Sequence, residues 1–139
     1  MTEEVRESGR RVGFEVRTFG GERAVLAHVD FRGSVHVSRY GVDVEAFERL
    51  ALPALEAAAD RDAVVVDELG KMELASKPFR EAATALFEQS LPIVATIQRA
   101  RHPFTGRLQR RGDVETVSVT ERNRDELPEE LTRRLLDER

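Results

Sequence analysis

A chain of 139 residues and 15.7 kDa is one domain long, enough to bury about two thirds of the surface its unfolded form exposes. Its 22 basic and 26 acidic residues leave a formal charge of −4 and a pI near 5.5, which excludes a generally polybasic nucleic-acid or membrane binder. With no cysteine there is no disulfide framework, thiol nucleophile or thiolate metal site, and no stretch approaches the roughly 18 apolar residues of a membrane span, so an untargeted cytoplasmic domain over 1–139 is expected.

The opening segment, Met1-Thr2-Glu3-Glu4-Val5-Arg6, runs straight into patterned sequence. Glu4, Arg6 and Arg11 read either as cross-strand ion pairs or as groups that approach a ligand. Val12, Phe14 and Val16 alternate with Gly13, Glu15 and Arg17. Phe19-Gly20-Gly21-Glu22 interrupts, then Val25, Ala27 and Val29 alternate again, which predicts a β-hairpin with a glycine turn. His28, on the polar phase of the second arm, and His36 read as solvent-facing or cross-strand residues rather than ligands. From Asp43 the period becomes helical through Val44, Phe47, Leu50, Ala51, Leu55 and Ala58. The predicted helix runs to about Ala59, with Pro53 expected to kink or break it.

Ala63-Val64-Val65-Val66 is an unbroken apolar run ending in Asp67-Glu68, the pattern of a strand covered on both faces in a parallel sheet. Pro78-Phe79 opens a helix through Ala82, Ala83, Leu86 and Phe87. Leu91 to Ile97 is a second buried strand and completes a strand-helix-strand unit. Arg99 to Gly112 is basic and turn-rich. Val114 to Val119 is expected as a short final strand, and Asp125 as the cap of a helix carrying Leu127, Leu131 and Leu135. No repeat or low-complexity linker interrupts this order.

Chemistry concentrates at Asp67-Glu68, a Walker B-type strand end. A carboxylate at the C-terminal end of a buried parallel strand can hold Mg²⁺, and a second one beside it can orient and deprotonate an attacking water. Asp67 is assigned to the metal and Glu68 to the water; a merely solvated strand end is the competing reading. Gly70 fits tight packing of the following turn, and Lys71 either reaches a phosphate or is solvated. Thr96 and Gln98 end the next strand, where a polar residue can sense a terminal phosphate; a packed β-branched role for Thr96 competes. Arg99, Arg101, His102, Arg107, Arg110 and Arg111 either close over phosphates, contact RNA or form a solvated loop.

Thr2 to Phe14, Val66-Asp67-Glu68-Leu69-Gly70-Lys71-Met72-Glu73-Leu74, Pro92 to Ile97 and Asn123-Arg124-Asp125 together resemble the small nucleoside-triphosphatase family first described from thermophiles, which includes the human cancer-related nucleoside-triphosphatase. The resemblance runs in order along essentially the whole chain. It implies an α/β, P-loop NTPase-like three-layer fold with a mainly parallel sheet plus a β-hairpin. It also implies Mg²⁺-dependent hydrolysis of ATP, GTP and other nucleoside triphosphates to diphosphate and phosphate. The implied nucleotide-contacting set is Val64, Val65, Val66, Asp67, Glu68, Leu69, Gly70, Lys71, Thr96, Asn123 and Arg124.

The family's phosphate-binding loop, G-x-x-x-x-G-K-[ST], is missing from these residues: the only Gly-Lys pair is Gly70-Lys71, followed by Met72. A first strand and P-loop helix, about 30 residues, are therefore expected to be absent. A start codon set at an internal methionine and a true loss of the loop are the two explanations, the first preferred. Little hydrolysis is expected from the 139 residues alone, because positioning and charge stabilisation supply most phosphoryl-transfer catalysis. Low solubility is expected as well. The alternatives are a non-catalytic nucleotide- or RNA-binding pseudoenzyme and a kinase on the same fold.

Overall fold

The computed structural model describes residues 1–137. Strand β1 (Thr2–Glu7) turns through Ser8 and Gly9 into β2 (Arg10–Arg17). Both turn residues have positive φ, 51° and 78°, the two-residue hairpin geometry whose twist matches that of the strands. β2 pairs antiparallel with β3 (Arg23–His28), confirming the predicted hairpin and its glycine turn, where Gly21 has φ 87°. β4 (His36–Val37) and β5 (Tyr40–Val42) complete an antiparallel sheet in the order β1-β2-β3-β5-β4.

The simple alternation expected in the second arm fails at a bulge. Phe14 pairs with Ala27 but Glu15 pairs with Val25, so Leu26 is the extra residue. Leu26 and Ala27 are both fully buried, and Val25 faces solvent. His28 is cross-strand to Gly13, its Nδ1 accepting from the Asp30 N–H at 3.1 Å and its ring 5.6 Å from that of Phe31. His36 is exposed.

Helix α1 (Val44–Ala58) starts where Asp43 accepts the Ala46 N–H at 3.0 Å, which satisfies one of the free amides of the first turn. Pro53 lies inside α1 without ending it. Its ring sits on the exposed side, while Phe47, Leu50, Ala51 and Leu55 cover the β3 face of the sheet. The rings of Phe47 and Phe79 meet edge-on at 4.9 Å, joining α1 to α2 (Lys77–Phe87). Burying an aromatic side chain of this size contributes about 2–3 kcal/mol. Ser76 caps α2 by accepting the Phe79 N–H at 3.1 Å and donates to Glu48 of α1 at 2.7 Å.

β6 (Val64–Leu69) and β7 (Ile93–Ile97) form a separate two-stranded parallel sheet, with α2 as the crossover between them. The mainly parallel sheet expected from the sequence is therefore corrected: five strands pair antiparallel and two parallel. Cover on both faces is corrected too. Val65 is 46% exposed, and β7 is half-buried with Thr96 on the surface.

Helix α3 (Pro103–Gln109) buries Phe104, Thr105 and Leu108. The strand expected over Val114 to Val119 does not form. Its alternation is present, but it makes no ladder with any described strand, and Val117 and Val119 face solvent. Helix α4 (Leu127–Asp137) begins two residues beyond Asp125, whose side chain, among the described residues, makes no capping bond and pairs with Arg124 alone at 3.7 Å. Asn123 organises this turn instead: its backbone carbonyl accepts the Leu127 N–H at 2.8 Å. Of the Leu stripe, Leu127 is buried and Leu131 and Leu135 half-buried. Among the described residues no helix is long and apolar enough to cross a membrane.

Candidate active site

The site sits at the C-terminal end of the β6–β7 pair. Register fixes it: Val64 faces Ile93, Val65 faces Val94 and Val66 faces Ala95, after which the register shifts and Leu69 faces Ile97. Val64 and Leu69 point into the core, at 7% and 2% exposure, which anchors the strand on either side of the two carboxylates. The Asp67–Glu68 peptide bond is cis.

Each carboxylate is met by a polar side chain from β7 or the residue just beyond it. Thr96 Oγ1 donates to Asp67 Oδ1 at 2.6 Å, and Gln98 Nε2 donates to Glu68 Oε1 at 3.2 Å. The other end of the Gln98 amide accepts the Lys71 N–H at 3.4 Å. Parallel pairing thus aligns two donors with two acceptors and fixes the orientation of groups that would otherwise rotate freely. Asp67 is exposed and Glu68 half-buried, so both remain open to a ligand.

Gly70 is where these side chains converge. A Cβ at that position would lie 2.9 Å from Gln98 Nε2, 2.9 Å from Glu73 Oε2 and 3.0 Å from Glu68 Oε1. The residue is glycine because three polar side chains occupy the space a larger one would need.

Glu73 is the participant that the sequence reading passed over. It stands on a single 3₁₀ turn, Glu73–Ala75, and is 4% exposed. Its carboxylate accepts the Gly70 N–H at 3.1 Å and the Thr2 hydroxyl at 2.8 Å. Burial pushes its pKa above the usual glutamate value, and the charge of Glu68 acts in the same direction. The signal available was the Gly70-x-x-Glu73 spacing, that of a side chain reaching back to the amide that opens a helical turn. The Met1 ammonium donates to the Arg17 carbonyl at 2.8 Å; burial lowers its pKa, while Asp67 and Glu73 attract it.

Of the expected nucleotide-contacting residues, Asp67, Glu68, Gly70, Lys71 and Thr96 are brought together at this strand end, with Lys71 exposed. Asn123 and Arg124 are held by local bonds instead. Asn123 accepts the Thr120 N–H at 2.8 Å and donates to the Ser118 carbonyl at 2.9 Å. Glu4, Arg6 and Arg11 form surface ion pairs: Arg11–Glu4 at 3.0 Å is cross-strand as expected, whereas Arg6–Glu4 at 2.7 Å lies within β1. No group of three or more His, Cys, Asp and Glu side chains is placed to hold a metal among the described residues. The groups that Asp67 and Glu68 present at this strand end are carboxylate oxygens, each with one oxygen bonded to β7 or the residue just beyond it.

A family model described as NTPase matches residues 1–132. The chain belongs to the NTPase family. Among its relatives, the nucleoside-triphosphatase THEP1 of Thermotoga sp. strain RQ2 is 37% identical over 131 residues, covering 94% of this chain and 75% of that protein. THEP1 of Thermofilum pendens is 41% identical over 140 residues, covering 97% and 76%. The crystal structure of THEP1 from Aquifex aeolicus superposes with a TM-score of 0.87 at 36% identity, covering 96% of this chain and 80% of the other. The solution structure of a human cancer-related nucleoside triphosphatase gives 0.82 at 34%, covering 99% and 80%. The α/β fold with its mixed antiparallel and parallel pairing is thus shared with these NTPases.

Proposed function

We propose that this NTPase-family chain carries the water-activating half of a nucleoside-triphosphatase that converts ATP, GTP and other nucleoside triphosphates to diphosphate and phosphate. The observation that carries the reading is the paired hydrogen bonding of Asp67 and Glu68 to Thr96 and Gln98 at one parallel strand end. Glu68 accepts the proton of an attacking water, with Gln98 orienting its carboxylate. Asp67, whose Oδ2 is left over from the Thr96 bond, holds Mg²⁺. One carboxylate oxygen fits that ion, which is usually bound by one or two carboxylates together with waters and substrate phosphates, and leaves Glu68 for the water. When bound, it supplies neutralisation of charge on the phosphates. A cytoplasmic setting belongs to the same reading.

The 139 residues contain no G-x-x-x-x-G-K-[ST] sequence. Backbone amides and the lysine of such a loop hold the phosphates in P-loop enzymes, so these residues alone are proposed to hydrolyse little or nothing.

The test is phosphate release with Mg²⁺ and ATP, measured for the 139-residue chain and for the chain with a strand-loop-helix unit carrying that sequence joined ahead of Met1. The extended chain should be active, and Glu68→Gln should reduce its rate by about 10²–10⁴-fold, the usual worth of a general base. Activity of the 139-residue chain abolished by Glu68→Gln would overturn the claim of inactivity. Nucleotide binding with no Glu68-dependent release in either form would favour the non-catalytic binding module.

A further inference from the structure

Between residues 99 and 111 the chain carries five arginines and one histidine and no carboxylate, on a molecule whose net charge is −4. Arg111 is committed: it pairs with Asp113 at 2.9 Å and donates to the Phe87 carbonyl at 3.0 Å, tying the end of α3 to the end of α2. Arg99, Arg101, Arg107 and Arg110 are exposed and make no ion pair among the described residues. A groove of about 510 Å³ runs along α3, lined by Arg101, His102, Pro103, Gly106, Gln109 and Arg110. No acidic side chain lines it.

His102 adds a donor. Its Nδ1 accepts the Phe104 N–H at 3.1 Å, so in the neutral ring the proton sits on Nε2. Every guanidinium and imidazole on the groove is therefore a hydrogen-bond donor. The floor is firm, because Phe104 and Leu108 are buried and Arg111 fastens the helix end. The groove also begins close to the carboxylates. Arg101 follows Gln98 by three residues, which at most about 3.6 Å per residue keeps it within about 11 Å along the chain of the residue bonded to Glu68.

We infer that this groove binds the polyphosphate tail of the nucleoside triphosphate, an inference that rests on the hydrolase reading given above. Guanidinium groups match phosphate oxygens in geometry and keep their charge at every physiological pH. An RNA strand fits less well: Phe104 is buried, so the half-buried His102 is the one ring of the stretch on which a base could stack, and the overall charge repels a long polyanion.

The test is a titration of the 139-residue chain with inorganic tripolyphosphate, free of base and metal, followed by NMR of the arginine Nε–H groups and the His102 ring. Arg101, Arg110 and His102 resonances should move and saturate. Arg101→Gln with Arg110→Gln should weaken binding at least about tenfold, while the charge-matched pair Arg32→Gln with Arg49→Gln, exposed and outside the groove, should change it less than about twofold. Equal weakening by both pairs would reduce the effect to diffuse charge and overturn the site. So would saturation of the same resonances by a uridylate 12-mer at lower concentration than tripolyphosphate, which would make the groove a nucleic-acid surface. A silent titration alongside Glu68-dependent phosphate release by the extended chain removes the groove and leaves the hydrolase standing. A normal titration alongside Glu68-independent release does the reverse.

Discussion

The hydroxyl of Thr2 donates to Glu73 Oε1 at 2.8 Å, joining residues 71 positions apart. The other oxygen of the same buried carboxylate holds the Gly70 amide, so the first residue of β1 and the turn after β6 share one clasp. Glu73→Ala leaves the Gly70 N–H without its partner in a buried place. The expected cost is about 1–3 kcal/mol in urea unfolding, with Thr2→Val costing less because Glu73 keeps Gly70. Equal stability of Glu73→Ala and the parent chain would show that the clasp does not matter.

The pH dependence of that clasp has a definite sign. Burial raises the Glu73 pKa above its ordinary 4.5, so between 4.5 and the higher folded value the folded state binds more protons than the unfolded one. Stability from this residue is therefore present below pH 4.5 and falls as the pH rises through that window. Glu73→Gln, which cannot ionise, should lack the fall and gain on the parent chain as pH increases. The comparison must be between these two chains, since Glu4 and Asp113, held low by Arg11 and Arg111, titrate with the opposite slope. A difference in urea midpoint that stays constant with pH would contradict the assignment.

Gly70→Ala should separate folding from catalysis. The three atoms that a Cβ would crowd are the ends of the Gln98, Glu73 and Glu68 side chains, which can give way at modest cost, about 1–3 kcal/mol. Each is a site residue, so phosphate release by the extended chain should fall at least about tenfold, while the melting curve stays cooperative. Gly41→Ala provides the contrast. Its Cβ would lie 2.3 Å from the backbone carbonyl of Phe31, which cannot rotate away, and this variant should fail to fold.

Tyr40 is the chain's single tyrosine, and there is no tryptophan, so its ionisation can be followed by ultraviolet absorbance without interference. Arg39 donates to the phenol oxygen at 3.1 Å and Arg11 at 3.0 Å, and both favour the phenolate. Titration should occur below the usual 10.0 for a phenol, and Arg39→Gln should move it back up. An unchanged titration in that variant would refute the assigned cause.

The helices α1 and α2 were legible from their apolar periodicity and, for α2, from Pro78 in its first turn; the caps Asp43 and Ser76 emerge from the structure. The Asp67-Glu68 strand end was legible from its apolar run. Leu26 was not, because a bulge changes the phase of alternation without any glycine or proline to mark it. Val114 to Val119 misled for the opposite reason. Alternation there is a property of the segment, whereas a strand requires a partner, and the described residues offer it none. Gln98 could be placed near the strand end from sequence, but its grip on Glu68 depends on the parallel register with β7, which no local pattern encodes. Glu73 was hidden by distance, since its significance lies in Thr2.

Two strands of this molecule present very different edges. β1 carries Glu3, Glu4, Arg6 and Glu7 along its exposed length, and Arg17 and Arg11 of the neighbouring strand answer Glu3 and Glu4, so another chain docking there must disrupt several ion pairs. β7 has no such guard: among the described residues it is paired on one side only, its sequence Ile-Val-Ala-Thr-Ile carries no charge, and Val65 lies uncovered on the strand beside it. Self-association at high concentration should therefore start at β7 and leave β1 bare. Thr96→Lys should suppress it, and light scattering of the two chains side by side would register the difference.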